Sequence, residues 1–228
     1  YQDLIDASYE DLYIVKSIVT SELSEQLADV LNVKVYNVLT GFKYISEILN
    51  DKSHSKEKLL LAFEESNGYM AKPFVRDKDA IQIVPLIIKY KNLLYANNIT
   101  LKDTLDDIYR TIGHYHSINL SPVFEGADGQ RKIETIINSF RNKEIHQVCG
   151  LDVKAIEDYQ LGTIENIESG EKDATYLPNT NLIRLIFDEG FIAIRPSGTE
   201  PKIKIYFSLN VNNIENLIKE FKETYIEY

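Results

Sequence analysis

An arginine, two prolines, a glycine and two hydroxyl side chains crowd into Arg195-Pro196-Ser197-Gly198-Thr199-Glu200-Pro201-Lys202. That composition suits an anion. The planar guanidinium of Arg195 can take two phosphate oxygens at once. Ser197 and Thr199 add hydroxyl donors, and Gly198 lets the backbone approach closely. Pro196 and Pro201 restrict the loop, which lowers the entropy lost on ordering it around a ligand. An ordinary proline–glycine surface turn looks similar, and chemistry alone weighs the two readings evenly. A second segment, Phe63-Glu64-Glu65-Ser66-Asn67-Gly68-Tyr69, offers carboxylates that can accept hydrogen bonds from vicinal sugar hydroxyls. Taken alone, a solvated acidic turn is the simpler reading. In Arg76-Asp77-Lys78-Asp79, Lys78 can set a cation beside a transferring phosphate. The simpler reading makes Asp77 or Asp79 a helix cap, with Arg76 and Lys78 as surface charges. His114 and His116 point the same way on a strand. Further ligands at metal-site spacing are missing, so no metal site is assigned.

The elements that must carry these loops follow from periodicity. Tyr13 to Thr20 is β-branched and apolar, the profile of a buried strand. Ser21 can cap a helix whose Leu23, Leu27, Val30 and Leu31 fall on one face. A strand over Val33–Val38 is followed by a turn at Thr40-Gly41 and a short helix carrying Phe42, Ile45, Ile48 and Leu49. Leu59–Phe63 is a third strand, and the Glu64–Gly68 loop leaves its C-terminal end, the edge where parallel sheets gather ligands. Helices are expected over about Asp79–Tyr95 and Leu101–Ile112. The alternation of strand and helix predicts an α/β domain with a mostly parallel sheet over residues 1–112.

Beyond Gly113 the pattern changes. Tyr115–Phe124 reads as a strand, Gly126 and Gly129 mark a turn, and Gln130–Arg141 is a helix with Ile133, Ile136, Ile137 and Phe140 inward. Strand-like segments follow at about Val148–Ile156, Asn181–Phe187, Phe191–Arg195 and Ile203–Leu209. Asp188-Glu189-Gly190 is a hairpin signal. A last helix runs from Asn213 to about Tyr225. This predicts a smaller α+β domain over 113–228, with an antiparallel sheet and helices on one face.

Composition narrows the partners. The chain has 228 residues, 44% of them hydrophobic, and a formal net charge of -10. A nucleic-acid backbone needs clustered cations, so it is not the expected partner. A single phosphate needs only a few local cations and backbone N–H groups. The lone Cys149 permits no internal disulfide and reads as a small buried hydrophobe. With no secretory signal and no long apolar run, the chain is expected to be soluble and cytoplasmic, away from membranes. Nothing in it sets an oligomeric state. The opening at Tyr1, without Met, reads as a piece of something longer.

In order along the chain, Thr40-Gly41-Phe42-Lys43, then Phe63–Tyr69, then Val75-Arg76-Asp77-Lys78-Asp79, then Arg195–Lys202 resemble the α-D-phosphohexomutases, nearest the phosphoglucomutase and phosphopentomutase type. The likeness spans essentially the whole chain but only the last two of that family's four domains, the third lacking part of its opening strand and helix. The resemblance implies that Arg195, Ser197, Gly198 and Thr199 grip the phosphate that is not transferred. It implies that Glu64 and Ser66 hold sugar hydroxyls and that Lys78, the catalytic candidate, sits near the reacting phosphate. The expected ligand is a phosphosugar, most simply a glucose phosphate. A full-length member moves phosphate between a phosphoserine and the sugar through a bisphosphorylated intermediate, with Mg2+ bound. The phosphoserine loop and the magnesium loop are absent here, and Asp128-Gly129 lacks the companion aspartates. The chain alone is therefore expected to be inactive, as a mutase fragment or, alternatively, as a non-catalytic phosphosugar-binding module. A third possibility is a bland subunit with structural loops, which retention of both grips disfavours. Asn67, Ala80 and Ala62 depart from the family's usual aromatic, Gly and Gly, which leaves the preferred sugar open.

Overall fold

The computed structural model describes residues 11–141, 145–198 and 200–227. The chain divides into two compact units, Tyr1–His114 and Tyr115–Tyr228.

In the first unit, β1 (Leu12–Ser17) is the central strand, fully buried along its length. β2 (Lys34–Val38) and β3 (Lys58–Glu64) flank it in parallel, and β4 (Gly68–Met70) adds an antiparallel edge to β3. The sheet is therefore mostly parallel, as the alternating pattern predicts. Helix α1 (Leu23–Val30) covers one face with Leu12, Ile14, Ala28 and Val33 in contact. Helix α2 (Phe42–Asp51) covers the other, where Tyr13, Val15, Val38, Phe42, Ile45 and Ala62 form a core. The register between β1 and β3 slips once: Tyr13 pairs with Leu59, but Ile14 pairs with Leu61, so Leu60 is bulged.

The strand expected over Tyr13–Thr20 stops at Ser17, where Thr20 N–H donates to the Ser17 carbonyl at 2.9 Å and turns the chain. Val30 and Leu31, expected inward, are exposed, because α1 ends at Val30 and the chain turns away there. Helix α3 (Ala80–Ala96) starts where Asp79 caps it, its carboxylate accepting from Ile81 N–H at 3.1 Å. It contains Pro85 and departs from the amphipathic pattern: Ile81, Val84, Ile87, Ile88, Leu93 and Tyr95 are exposed, and Leu94 is its one buried residue. Helix α4 (Leu101–Ile112) opens on a reciprocal capping box between Thr100 and Asp103.

The second unit is a seven-stranded antiparallel sheet. It comprises β5 (His116–Leu120), β8 (Ala155–Asp158), β9 (Thr163–Asn166), β10 (Lys172–Ala174), β11 (Ile183–Phe187), β12 (Gly190–Pro196) and β13 (Ile203–Leu209). A small separate hairpin, β6 (Gln147–Val148) with β7 (Leu151–Asp152), turns at Cys149 and Gly150 with φ of 47° and 77°. Positive φ at two successive residues makes the tight turn that closes such hairpins. Helices α5 (Ala127–Arg141) and α6 (Ile214–Phe221), the latter continued by a π-helical turn at Lys222–Ile226, line one face. Their Ile133, Ile137, Phe140, Leu217 and Phe221 pack onto Leu185, Ile194, Ile205 and Phe207. The hairpin between β11 and β12 falls at Asp188-Glu189 as expected, and Gly190 is required there. Its φ is 132°, and a Cβ would lie 2.0 Å from the Ser208 carbonyl oxygen.

Candidate functional site

The residues singled out by chemistry fall into one cluster in each unit.

In the first unit, β3 delivers Glu64 to the C-terminal edge of the sheet. Glu64 pairs with Gly68, so Glu65, Ser66 and Asn67 form a three-residue hairpin loop. Asn67 takes φ of 60°, a left-handed conformation that asparagine tolerates and most residues do not. Glu64 is buried, and its Oε1 accepts from Gly41 N–H at 2.6 Å. Gly41, with φ of 123°, is the N-cap of α2, so the carboxylate sits where a helix offers unpaired N–H groups and a partial positive charge. Glu64 thus ties the Thr40–Lys43 turn to the hairpin. Ser66 is exposed at the hairpin tip.

Lys78 reaches the same hairpin from the other side. Its ammonium lies 5.1 Å from the centroid of the Phe42 ring and 3.4 Å from Asp77 Oδ1. Backbone bonds fix the segment: Asp79 N–H donates to the Tyr69 carbonyl at 2.8 Å, and Ser46 Oγ donates to the Arg76 carbonyl at 2.6 Å. Asp79 is the helix cap, and Asp77 accepts from Lys78 N–H at 2.7 Å. That hydrogen bond, with the Lys78 ammonium beside it, holds the Asp77 carboxyl below its ordinary range. Three of the four segments read from the sequence therefore meet here.

Sequence reasoning missed a buried polar cluster at the same edge. Lys16 is the last residue but one of β1, and its side chain is fully buried. Its ammonium donates to the Thr20 carbonyl at 3.0 Å and pairs with Glu25 at 2.8 Å. Asn37 Nδ2 also donates to Glu25, at 2.8 Å, while Asn37 Oδ1 is buried with no partner among the described residues. Glu65 accepts from Ser17 Oγ at 3.0 Å, which links the hairpin loop to the turn after β1. The signal was present: a lysine inside an otherwise apolar strand must be paired to be buried.

In the second unit, Arg195 stands near the end of β12, opposite Lys204 of β13. Its Nε donates to the Tyr206 hydroxyl at 3.2 Å, with the guanidinium 5.8 Å from the Tyr206 ring centroid. The loop that follows is closed at its base, Ser197 N–H donating to the Lys202 carbonyl at 2.8 Å. It is braced from outside by Phe124 N–H, which donates to the Pro201 carbonyl at 2.8 Å. Glu200 and Lys202 pair with each other, and the lysine holds the Glu200 carboxyl below its ordinary range. Gly198 is exposed, and the position its Cβ would take is open space. Thr199 lies outside the described residues.

His114 stacks on Tyr109 at 4.2 Å between ring centroids. Among the described residues no group of three His, Cys, Asp or Glu could hold a metal ion. No helix among them is long and apolar enough to cross a membrane.

The geometry can be set against known proteins. The family model for the phosphoglucomutase/phosphomannomutase α/β/α domain III matches residues 3–112. A phosphoglucomutase of Staphylococcus saprophyticus is 55% identical over 227 residues, which is 99% of this chain and 41% of that protein. The chain belongs to the phosphoglucomutase/phosphomannomutase family. A phosphoglucomutase of Staphylococcus aureus is 45% identical over 207 residues, 91% of this chain and 37% of that protein. The chain thus spans about two-fifths of the family members it matches. Among solved structures, the exocytosis-sensitive phosphoprotein parafusin, a phosphoglucomutase of Paramecium in its open form, aligns with a TM-score of 0.65 at 21% identity. That match covers 92% of this chain and 37% of the other. A phosphomannomutase of Thermus thermophilus aligns with a TM-score of 0.61 at 15% identity, covering 97% and 38%. At those identities the structures speak for the fold, and they match both units.

Proposed function

We propose that this chain is the phosphosugar-holding part of a phosphoglucomutase that interconverts hexose 1-phosphate and 6-phosphate, with glucose as the sugar. The observation that carries the reading is the loop after Arg195, closed at its base and open at Gly198, with a guanidinium oriented by Tyr206 beside it. Arg195, Ser197, Gly198 and Thr199 take the phosphate that stays in place: the guanidinium offers two parallel donors, and the bare backbone admits the oxygens. Glu64 and Ser66 take sugar hydroxyls. Oε1 of Glu64 remains on Gly41 N–H while Oε2 accepts from the sugar, so the grip is already oriented before the ligand arrives. Lys78 faces the phosphate being transferred and offsets its charge.

In this reading the phosphoserine and the magnesium ion, which neutralises phosphate charge when bound, belong to parts of the enzyme outside this chain. One sugar grip serves both orientations of the bisphosphate intermediate, because vicinal hydroxyls present similar pairs of donors from either side. The protein is placed in the cytoplasm, where hexose phosphates are handled.

The test is a titration of the 228-residue chain with glucose 6-phosphate, followed by NMR. Binding at about millimolar strength is expected, weakened about tenfold by Arg195→Ala and by Glu64→Ala. No shift in the wild-type chain, and none in the longer enzyme either, would reject the reading. Mutase turnover well above blank by the purified chain would reject the assignment of the transfer chemistry to residues elsewhere.

A further inference from the structure

Gly68 and Phe42 flank the stem of Lys78. A Cβ on Gly68 would lie 2.9 Å from Lys78 Cδ, 3.1 Å from Lys78 Cγ and 3.2 Å from Phe42 Cε2. The lysine stem therefore crosses bare backbone, and its ammonium comes to rest over the Phe42 ring. Both walls are fixed. Phe42 is 4% exposed and belongs to the core between the sheet and α2. Gly68 is buried and paired with Glu64, whose carboxylate holds Gly41, the residue before Phe42. The backbone on either side of the lysine is held as well, by Asp77 on its own N–H and by Tyr69 on the next one.

We propose that Gly68 and Phe42 are positioning residues that seat Lys78, and that this seat sets how well the cation meets a sugar phosphate. The inference rests on the role given to Lys78 above. A lysine stem in water spreads its ammonium over many rotamers, and each must be given up when a phosphate is bound. The Lys78 side chain, 50% exposed, gives up part of that freedom where its stem lies between the glycine and the aromatic ring, and the ring face favours the charged head. The glycine is needed for the space it leaves, since its backbone is not in the left-handed region. A methyl group at this position is thus free of backbone strain. What must yield is chiefly the flexible lysine stem, with a small shift of the Phe42 ring, so Gly68→Ala displaces the ammonium at little cost to the fold.

The experiment compares the wild-type chain with Gly68→Ala, Lys78→Ala and the double variant. Three quantities are read: the NMR shift of the Lys78 ε-methylene, the affinity for glucose 1,6-bisphosphate, and the thermal midpoint. The Phe42 ring current should move the Lys78 ε-methylene upfield of other lysines, and Gly68→Ala should return it to the ordinary position with the midpoint nearly unchanged. Lys78→Ala should weaken the bisphosphate about tenfold, Gly68→Ala by about fivefold, and the double variant no more than Lys78→Ala. Non-additivity of that kind shows that the glycine acts through the lysine. An unmoved Lys78 signal in Gly68→Ala overturns the seat. A displaced signal with unchanged affinity, while Lys78→Ala still weakens binding, overturns the positioning role and leaves the function of Lys78 standing. If Lys78→Ala itself binds like wild type, the role of Lys78 fails and the inference falls with it. Should Gly68→Ala prove destabilising, Phe42→Leu probes the other wall, with the same expected loss of affinity.

Discussion

Replacing Lys16 by Met isolates the cost of an unbalanced charge at the ligand edge of the first unit. The two side chains are similar in length and volume, so the change removes the ammonium and leaves little void. Glu25 then keeps its charge without the Lys16 cation, Asn37 Nδ2 still donating to it at 2.8 Å, and the Thr20 carbonyl loses a donor. Breaking a buried pair from one side costs about 3–5 kcal/mol when both partners are desolvated. Here Glu25 retains 29% of its side-chain exposure, so water takes up part of the lost interaction and the cost falls somewhat below that range. The expected loss is about 2–3 kcal/mol, or about 10–15 °C in the melting of a unit of this size. Differential scanning calorimetry gives the midpoint. The double variant Lys16→Met/Glu25→Met should regain most of the loss, since an apolar pair of similar volume carries no desolvation penalty. A Lys16→Met protein melting at the wild-type temperature would refute the reasoning, as would a double variant less stable than the single one.

Further expectations concern sites away from the ligand edge. Lys34 and Lys52, both hydrogen-bonded to Glu57, hold its carboxyl down to about 2. A depressed carboxylate contributes stability that is fully present above its unfolded pKa and lost as pH falls through the folded value. The thermal midpoint should therefore drop between about pH 4.5 and 2, and Glu57→Gln should flatten that limb. Gly190→Ala places a methyl group against the Ser208 carbonyl in a left-handed backbone and should cost about 3 kcal/mol or more in urea unfolding. Burial pushes the Cys149 thiol up to about 12. Cys149 is half-buried rather than the buried residue expected, and alkylation by iodoacetamide at about pH 8 should be slow in the folded chain and rise in denaturant; fast labelling of the native protein would contradict the raised pKa.

What the sequence disclosed depends on how local the cause was. β13 falls at Ile203–Leu209 and α4 at Leu101–Ile112, both as the pattern predicts, because apolar periodicity and capping are written in adjacent residues. The pair β9 and β10 was not anticipated. Lys172-Asp173-Ala174 is exposed throughout, so this edge strand is held by pairing and carries no apolar signature. The site residues were legible as types, since arginine, glycine and hydroxyls in a restrained loop announce an anion. Their tethers were not. Glu64 meets Gly41 across 23 positions, and Glu65 meets Ser17 across 48, which no local pattern encodes. Lys16 escaped notice because strand propensity and apolar neighbours describe the backbone and say nothing of how a charge is paired.

The extra residue in β3 acts as a phase shifter for the ligand edge. Leu59 lies on the α2 side of the sheet, Leu60 and Leu61 both lie on the α1 side, and Ala62 returns to the α2 side. A strand alternates strictly, so without that repeated step every later side chain would exchange faces. Glu64 would then point toward α1, away from Gly41, and Phe63 would be driven into the α2 core. The bulge four positions upstream thus absorbs one extra apolar residue and keeps Glu64 turned to its helix cap. An insertion or deletion in β3 accordingly preserves the edge when a bulge absorbs or releases it. Removing Leu60 alone therefore restores a regular register and leaves Glu64 on the α2 side, whereas straightening the strand with Leu60 retained inverts the edge.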